Sequence, residues 1–286
     1  MDGYGKRIGT AKVPGAELHY ELRGSGRPLL LIPGASGDAG MYERAAAALS
    51  GEYTVITYDR RGNSRSAVAG GLGPTDIDQQ ADDAAALIET VGLGPALVFG
   101  NSSGATIAMD LCLRHPDVLR AVIAHEPPKI GTLPDRDAFL RGLQDRMEAA
   151  VARGGYPEAV QDFHGWLVGD DSDVPEPEGL RERVRGNGEQ WVRHELGVLD
   201  RYDAPDELID ARRTPLLIGI GTVGGTEQHT ELLGIYRESL RRIADRYRAD
   251  FAEFSGAHVP YETIPEVFAA EVTAAFRALE SAKTPV

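Results

Sequence analysis

Cysteine is almost absent. Of 286 residues only Cys112 carries a thiol, which excludes an internal disulfide and a zinc site built from cysteines. Lysine is nearly as scarce. Lys6, Lys12, Lys129 and Lys283 are the only four among 30 basic residues, against 44 acidic ones. The formal charge of −14 argues against nucleic acid and anionic membranes as partners, because both need clustered cations. No stretch approaches the ~18 apolar residues of a membrane span, and no N-terminal apolar run resembles a secretion signal. A soluble, cytoplasmic protein is the expectation. The seven histidines include no His-x-x-x-His pair, and the acidic stretch GDDSDVPEPEG lacks the spacing of a calcium loop. No metal and no cofactor are therefore expected. GIGTVG (Gly219 to Gly224) matches a dinucleotide fingerprint. Only one strand pattern follows it, too few for the βαβ unit such a site needs.

What is present is an alternation. A hairpin turning at Pro14-Gly15 leads to short apolar strands at LLLI, YTVITYD and ALVF, separated by amphipathic helices. Ile77, Ala81, Ala84, Ile88 and Val91 make one such helical face, with Thr75 as the expected N-cap and Gly92 as the stop. Cys112 falls on the apolar face of the following helix and reads as core. Alternation of this kind predicts an α/β fold with a mostly parallel central sheet covered on both faces. It breaks at about Gly131 and resumes at TPLLIGI. Residues 1–130 and 214–286 are expected to form the core, and 131–213 a helical lid inserted between two late strands. In such sheets, ligands bind at the carboxyl ends of the strands.

The stretch LVFGNSSGATIAM sits at one of those ends and holds two serines, of which spacing selects one. In the G-x-S-x-G elbow a strand turns sharply into a helix, so the residues two before and two after the serine must be nearly free of side chain. Ser102 has Gly100 and Gly104 at those offsets; Ser103 has Asn101 and Ala105. Ser102 is the candidate nucleophile, and Ser103 offers its backbone N–H to the same space. A serine hydroxyl needs a base, and the base needs an orienting acid. His258, in FAEFSGAHVPYETIPEVF, follows the last strand and precedes the last helix, at the correct sheet edge. The acid is open between Glu126, in AHEPP after an earlier strand, and Glu227, the first carboxylate after TPLLIGI. Charge developing on a carbonyl oxygen needs two N–H donors. Those expected are Ser103 and Ala35, the latter in the glycine-bearing loop LLLIPGASGDAG.

Together with YDRRGNSRS and GAHVPYETIPEVF, these residues resemble the α/β-hydrolase fold superfamily. The first stretch is similar to its D-x-R-G-x-G-x-S turn, with Asn63-Ser64 in place of x-Gly, and the second to its G-x-H-x-P…P-x-x-F ending. Within the superfamily, GNSSGAT, HEPP and SGAHVPY are similar to stretches of the zearalenone hydrolases, lactonases that open a resorcylic macrolactone. That resemblance implies Glu126 as the triad acid, and it implies Trp191, in NGEQWVRHELG, as a lid residue against the substrate. The expected function is a cofactor-free serine hydrolase of a small apolar carboxylic ester or lactone. A C–C hydrolase of a β-diketone-like substrate and a non-catalytic ligand-binding relative are the rivals. Serine rather than aspartate at the elbow weighs against dehalogenase and epoxide hydrolase chemistry. The oligomeric state stays open between monomer and homodimer.

Overall fold

A computed structural model describes residues 5–128, 135–169, 173–199 and 202–282. Alternating apolar and polar residues pair β1 (Arg7–Val13) with β2 (Ala16–Arg23) as an antiparallel hairpin. Its turn uses Gly15 at φ 76°. The next strands are β3 (Arg27–Ile32), β4 (Tyr53–Tyr58), the short β5 (Ala67–Val68), β6 (Ala96–Asn101), β7 (Leu119–His125), β8 (Leu216–Gly221) and β9 (Asp250–Phe254). The sheet order is β1-β2-β4-β3-β6-β7-β8-β9, with β5 on the side of β2. From β4 to β9 every pairing is parallel. Strands β4, β6 and β8 are buried at every position, as continuous apolar runs in a doubly covered parallel sheet should be.

Helices α1 (Glu43–Leu49), α2 (Ile77–Val91) and α3 (Ser103–Arg114) precede the interruption. A short 3₁₀ turn, Ala39–Tyr42, leads into α1. Between β7 and β8 the described residues carry helices and no strand: α4 (Arg136–Val168), α5 (Leu180–Gly186), a π-helical turn (Gln190–Glu195), α6 (Leu196–Leu199) and α7 (Asp206–Asp210). The expected start of the insertion at 131, and residues 170–172 of its acidic loop, lie outside the described residues. Helix α4 is interrupted at Gly154 and Gly155, just before Pro157, where proline cannot donate to the helical ladder. The chain closes with α8 (Glu227–Arg246), α9 (Pro260–Thr263) and α10 (Pro265–Ser281).

The two sheet faces bury separate cores. One packs α2, α3 and α8 through residues such as Ile88, Ile107, Cys112 and Leu240. The other packs α1 and α10 through Leu49, Val272 and Phe276. A smaller cluster around Met147, Val160 and Trp191 lies within the inserted helices. Among the described residues no helix is long and apolar enough to cross a membrane.

One local expectation is corrected. The N-cap of α2 is Asp76, whose carboxylate accepts from the Asp78 and Gln79 amides. Thr75 is buried instead. Its hydroxyl accepts from Gln190 Nε2 at 3.2 Å and its N–H donates to the His194 carbonyl at 2.8 Å. Contacts with the inserted helices take up Thr75, and the neighbouring short carboxylate caps the helix.

Candidate active site

The site begins where β6 becomes α3. Ser102 holds φ 53° and ψ −122°, a conformation that costs energy for any residue with a Cβ. Two glycines make the turn sterically feasible. A Cβ on Gly100 would lie 2.2 Å from the Gly104 carbonyl oxygen, and one on Gly104 would lie 2.2 Å from the Ile32 carbonyl oxygen. The Ser102 carbonyl accepts from the amides of Ala105 and Thr106. The amides of Ser103 and Gly104 thus precede the first intrahelical donor, at the electropositive end of α3.

The neighbouring strand repeats the device. Asn101 of β6 pairs with His125 of β7, so Ser102 and Glu126 leave the sheet at the same height. Glu126 also adopts a left-handed φ of 49°, and its N–H donates to the Gly219 carbonyl. Its carboxylate is fully enclosed. Oε1 accepts from the Gly221 amide at 2.7 Å, and Oε2 accepts from His258 Nδ1 at 2.5 Å. A Cβ on Gly221 would approach Glu126 Oε1 to 3.1 Å and the Gly256 carbonyl oxygen to 2.7 Å. The glycine that ends β8 therefore clears the space that this carboxylate fills. Burial raises the Glu126 pKa, but the hydrogen bond and charge of His258, with smaller help from His125 and the Gly221 amide, bring it down to about 2. With Nδ1–H given to Glu126, Nε2 of a neutral His258 carries the lone pair.

Of the two candidate acids, Glu126 meets His258, whereas Glu227 is exposed in the first turn of α8. Ser102, His258, Ala35 and Trp191 line one cavity of about 60 Å³ with Phe163 and Leu167. Trp191 is buried and packs against Phe163 at 4.5 Å between ring centroids. Ser103 is buried beneath the elbow; what it can offer the site is its amide. A larger pocket of about 360 Å³ shares Met41, Val160, His164 and Val184 with this cavity.

Two histidines beside the site were not singled out from sequence. His125 is completely buried, its Nδ1 donating to Asn101 Oδ1 at 2.7 Å, and burial lowers its pKa to about 4. His229, in the first turn of α8, sits 6.0 Å from the His258 ring between centroids. Burial and then the charge of His258 lower its pKa. Only the fold-back of the loop after β8 brings it there, through Thr226 Oγ1 donating to the Trp166 carbonyl. Glu126, His229 and His258 offer ligand atoms that all lie within 4.8 Å of one another. These are donor types that suit zinc, although Glu126 and His258 already engage each other.

Comparison with known proteins agrees with this architecture. Residues 27–163 match the alpha/beta hydrolase fold family. The chain is 32% identical over 258 residues to the uncharacterized hydrolase YraK of Bacillus subtilis, covering 88% of this chain and 90% of that one. It is 28% identical over 261 residues to the zearalenone hydrolase of Cladophialophora bantiana, covering 89% and 91%. Among solved structures, a thermophilic esterase from Thermogutta terrifontis superposes with a TM-score of 0.69 at 24% identity, covering 97% of this chain and 99% of that one. The chain belongs to the α/β-hydrolase fold family and is a hydrolase of that type.

Proposed function

We propose that this hydrolase cleaves carboxylic esters or lactones through a Ser102-His258-Glu126 triad. The observation that carries the reading is the buried His258–Glu126 hydrogen bond at the edge of a cavity that also holds the strained Ser102. His258 Nε2 takes the proton of Ser102 as the hydroxyl attacks the carbonyl carbon. Glu126, held ionised, stabilises the imidazolium that results. The Ser103 and Ala35 amides donate to the tetrahedral oxyanion. His258 then protonates the leaving alcohol or phenol, and water repeats the sequence on the acyl-enzyme with His258 as base.

Residues 131–213 act as a lid over the core formed by 1–130 and 214–286, excluding bulk water and selecting an apolar substrate. Trp191, Phe163 and Leu167 from this segment supply apolar walls beside Ser102. Similarity to a zearalenone hydrolase, together with the larger adjoining pocket, supports a bulky macrolactone of that type as substrate.

The test is loss of zearalenone, followed by chromatography with wild type and Ser102→Ala in parallel, and p-nitrophenyl butyrate as a generic ester. Wild type is expected to turn over, and Ser102→Ala to lose roughly 10⁴-fold or more. Equal turnover by both proteins rejects Ser102 as nucleophile. Hydrolysis of the generic ester alone keeps the triad and rejects the macrolactone.

A further inference from the structure

The loop that carries Ala35 is held by side chains distant in sequence. Arg60 and Glu195 are 0% and 1% exposed. The Arg60 guanidinium donates Nη1 to Glu195 Oε2 at 3.0 Å and Nη2 to Glu195 Oε1 at 2.8 Å. The same Nη2 also donates to the Gly34 carbonyl oxygen at 2.7 Å. Gly34 C=O and Ala35 N–H belong to one trans peptide plane, so they point in opposite directions. Gly34 itself lies against the elbow, where a Cβ would be 3.1 Å from Ser102 Cβ. A guanidinium that fixes the carbonyl on one side of the plane therefore fixes the direction of the amide on the other.

A second tie acts one residue further on. Ser36 holds φ 59°, and its carbonyl accepts from Asn187 Nδ2 at 2.7 Å. The Asn187 side chain also holds Ser64: Nδ2 donates to Ser64 Oγ at 2.8 Å, and Oδ1 accepts from the Ser64 amide at 2.6 Å. Gly37 is required beside them, because a Cβ there would lie 2.6 Å from Arg60 Nε. Both Asn187 and Glu195 come from the helical segment inserted between β7 and β8.

We infer that Arg60, Glu195 and Asn187 are positioning residues that set the Ala35 amide for oxyanion binding, so that the inserted segment completes the oxyanion hole as well as covering the site. Two charges this deeply buried contribute little net stability; their bidentate geometry supplies orientation. The inference rests on the serine hydrolase reading above. It makes the inserted segment part of the transition-state machinery: displacing that segment takes Asn187 from the loop and leaves Arg60 without Glu195.

The experiment compares two ligands on wild type, Glu195→Gln and Asn187→Ala. An aryl trifluoromethyl ketone adds the serine and presents an oxyanion, whereas its methyl ketone analogue stays largely unadded. Glutamine keeps the volume of Glu195 but cannot accept from both guanidinium nitrogens. Glu195→Gln is expected to weaken the fluorinated ketone about tenfold and lower kcat on p-nitrophenyl butyrate about as much. Methyl ketone affinity and KM should stay within about twofold. Asn187→Ala, which leaves no buried charge unpaired, should show the same split at about threefold and carries the test if Glu195→Gln fails to fold. Folded variants whose two ketone affinities fall together, or do not change, overturn the clamp alone. A wild type that neither binds the fluorinated ketone nor takes a fluorophosphonate label overturns the serine-triad reading and the clamp with it.

Discussion

The two amides proposed to bind the oxyanion are held in different ways. Ser103 is fixed by backbone: a five-residue motif, two glycines and the first turn of α3. Ala35 is fixed by side chains: Arg60, 25 positions later, and Asn187 and Glu195 from a segment that enters after β7. The elbow cannot relax without moving strand β6, because each of its glycines abuts a backbone oxygen. The loop after β3 has a turn bond of its own, Gly37 N–H donating to the Gly34 carbonyl at 3.2 Å, and its side-chain ties lead to the inserted helices. One half of the site is rigid by construction and the other depends on contacts made across the chain. On the proposed reading, such a division would keep the nucleophile armed and leave charge stabilisation to the inserted segment.

The largest test of this contrast concerns the acid, which joins both kinds of control. Glu126 stands on strained backbone like Ser102, yet its partners Gly221 and His258 come from later elements. Glu126→Gln is expected to lower kcat by roughly 10³-fold or more, by losing the charge that supports the imidazolium. Glu227→Gln should stay within about twofold. Steady-state rates on p-nitrophenyl butyrate decide; equal losses from both substitutions would return the acid to an open question.

Next in size is a pair of glycine substitutions that should separate the halves. Gly104→Ala drives a methyl group against the Ile32 carbonyl and is expected to cost ~3 kcal/mol of stability or more. Gly34→Ala meets Ser102 Cβ at 3.1 Å and the Asn101 carbonyl oxygen at 3.2 Å, a strain that a small loop shift relieves. It should cost ~1 kcal/mol while lowering kcat about tenfold. Urea unfolding midpoints beside kcat values test this, and a Gly34→Ala protein with full activity would show that the loop tolerates displacement.

How much of this was legible in the chain follows the same division. Ser102, Gly100 and Gly104 are readable because the steric demand falls on adjacent residues. His258 and Glu126 are readable as positions, each just past a strand, and the shared height of Asn101 and His125 in the sheet puts Glu126 level with Ser102, where it meets His258. The Arg60–Glu195 pair is 135 positions apart and leaves no local pattern. Arg60 lies in the YDRRGNSRS turn, and nothing in that turn says which segment its guanidinium will meet. His229 is similar: a histidine at a helix start gives no sign that Thr226 will fold it back beside His258. Thr75 was misassigned for a related reason, since its capping chemistry suits the pattern but its hydroxyl is spent on Gln190.

His125 bears on the rigid half through pH. It is buried and neutral, with a pKa of about 4 against an ordinary value near 6.5. Between those values the unfolded chain binds a proton that the folded protein refuses, so stability falls as pH drops from about 6.5 to about 4. A single site of this kind contributes a slope of up to about 1.4 kcal/mol per pH unit. Glu126, with its pKa lowered to about 2, adds its own loss between about 4.5 and 2, and His229, lowered by burial and by the charge of His258, adds to the slope above pH 4.5 in the same direction as His125. His125→Phe, which can keep the stacking on Phe99, should reduce the slope of the unfolding free energy over pH 5–6.5 and leave the part that His229 contributes. An unchanged slope would mean that the proton is taken up elsewhere.

The smallest expected effect lies at the start of α2, where local and long-range control sit on adjacent residues. Asp76→Ala removes an exposed cap from two helix amides and should cost ~1 kcal/mol, with kcat and KM unchanged. Thr75→Ala leaves that cap intact and removes one buried hydrogen bond to Gln190, also worth ~1 kcal/mol. The two losses should add in the double variant, because a helix cap and a tie to the inserted segment share no partner. Thermal or urea denaturation of the three variants measures the sum. A double variant damaged well beyond that sum would mean that Thr75 caps α2 once Asp76 is gone, so that the N-cap read from sequence survives as a fallback behind the contact with Gln190.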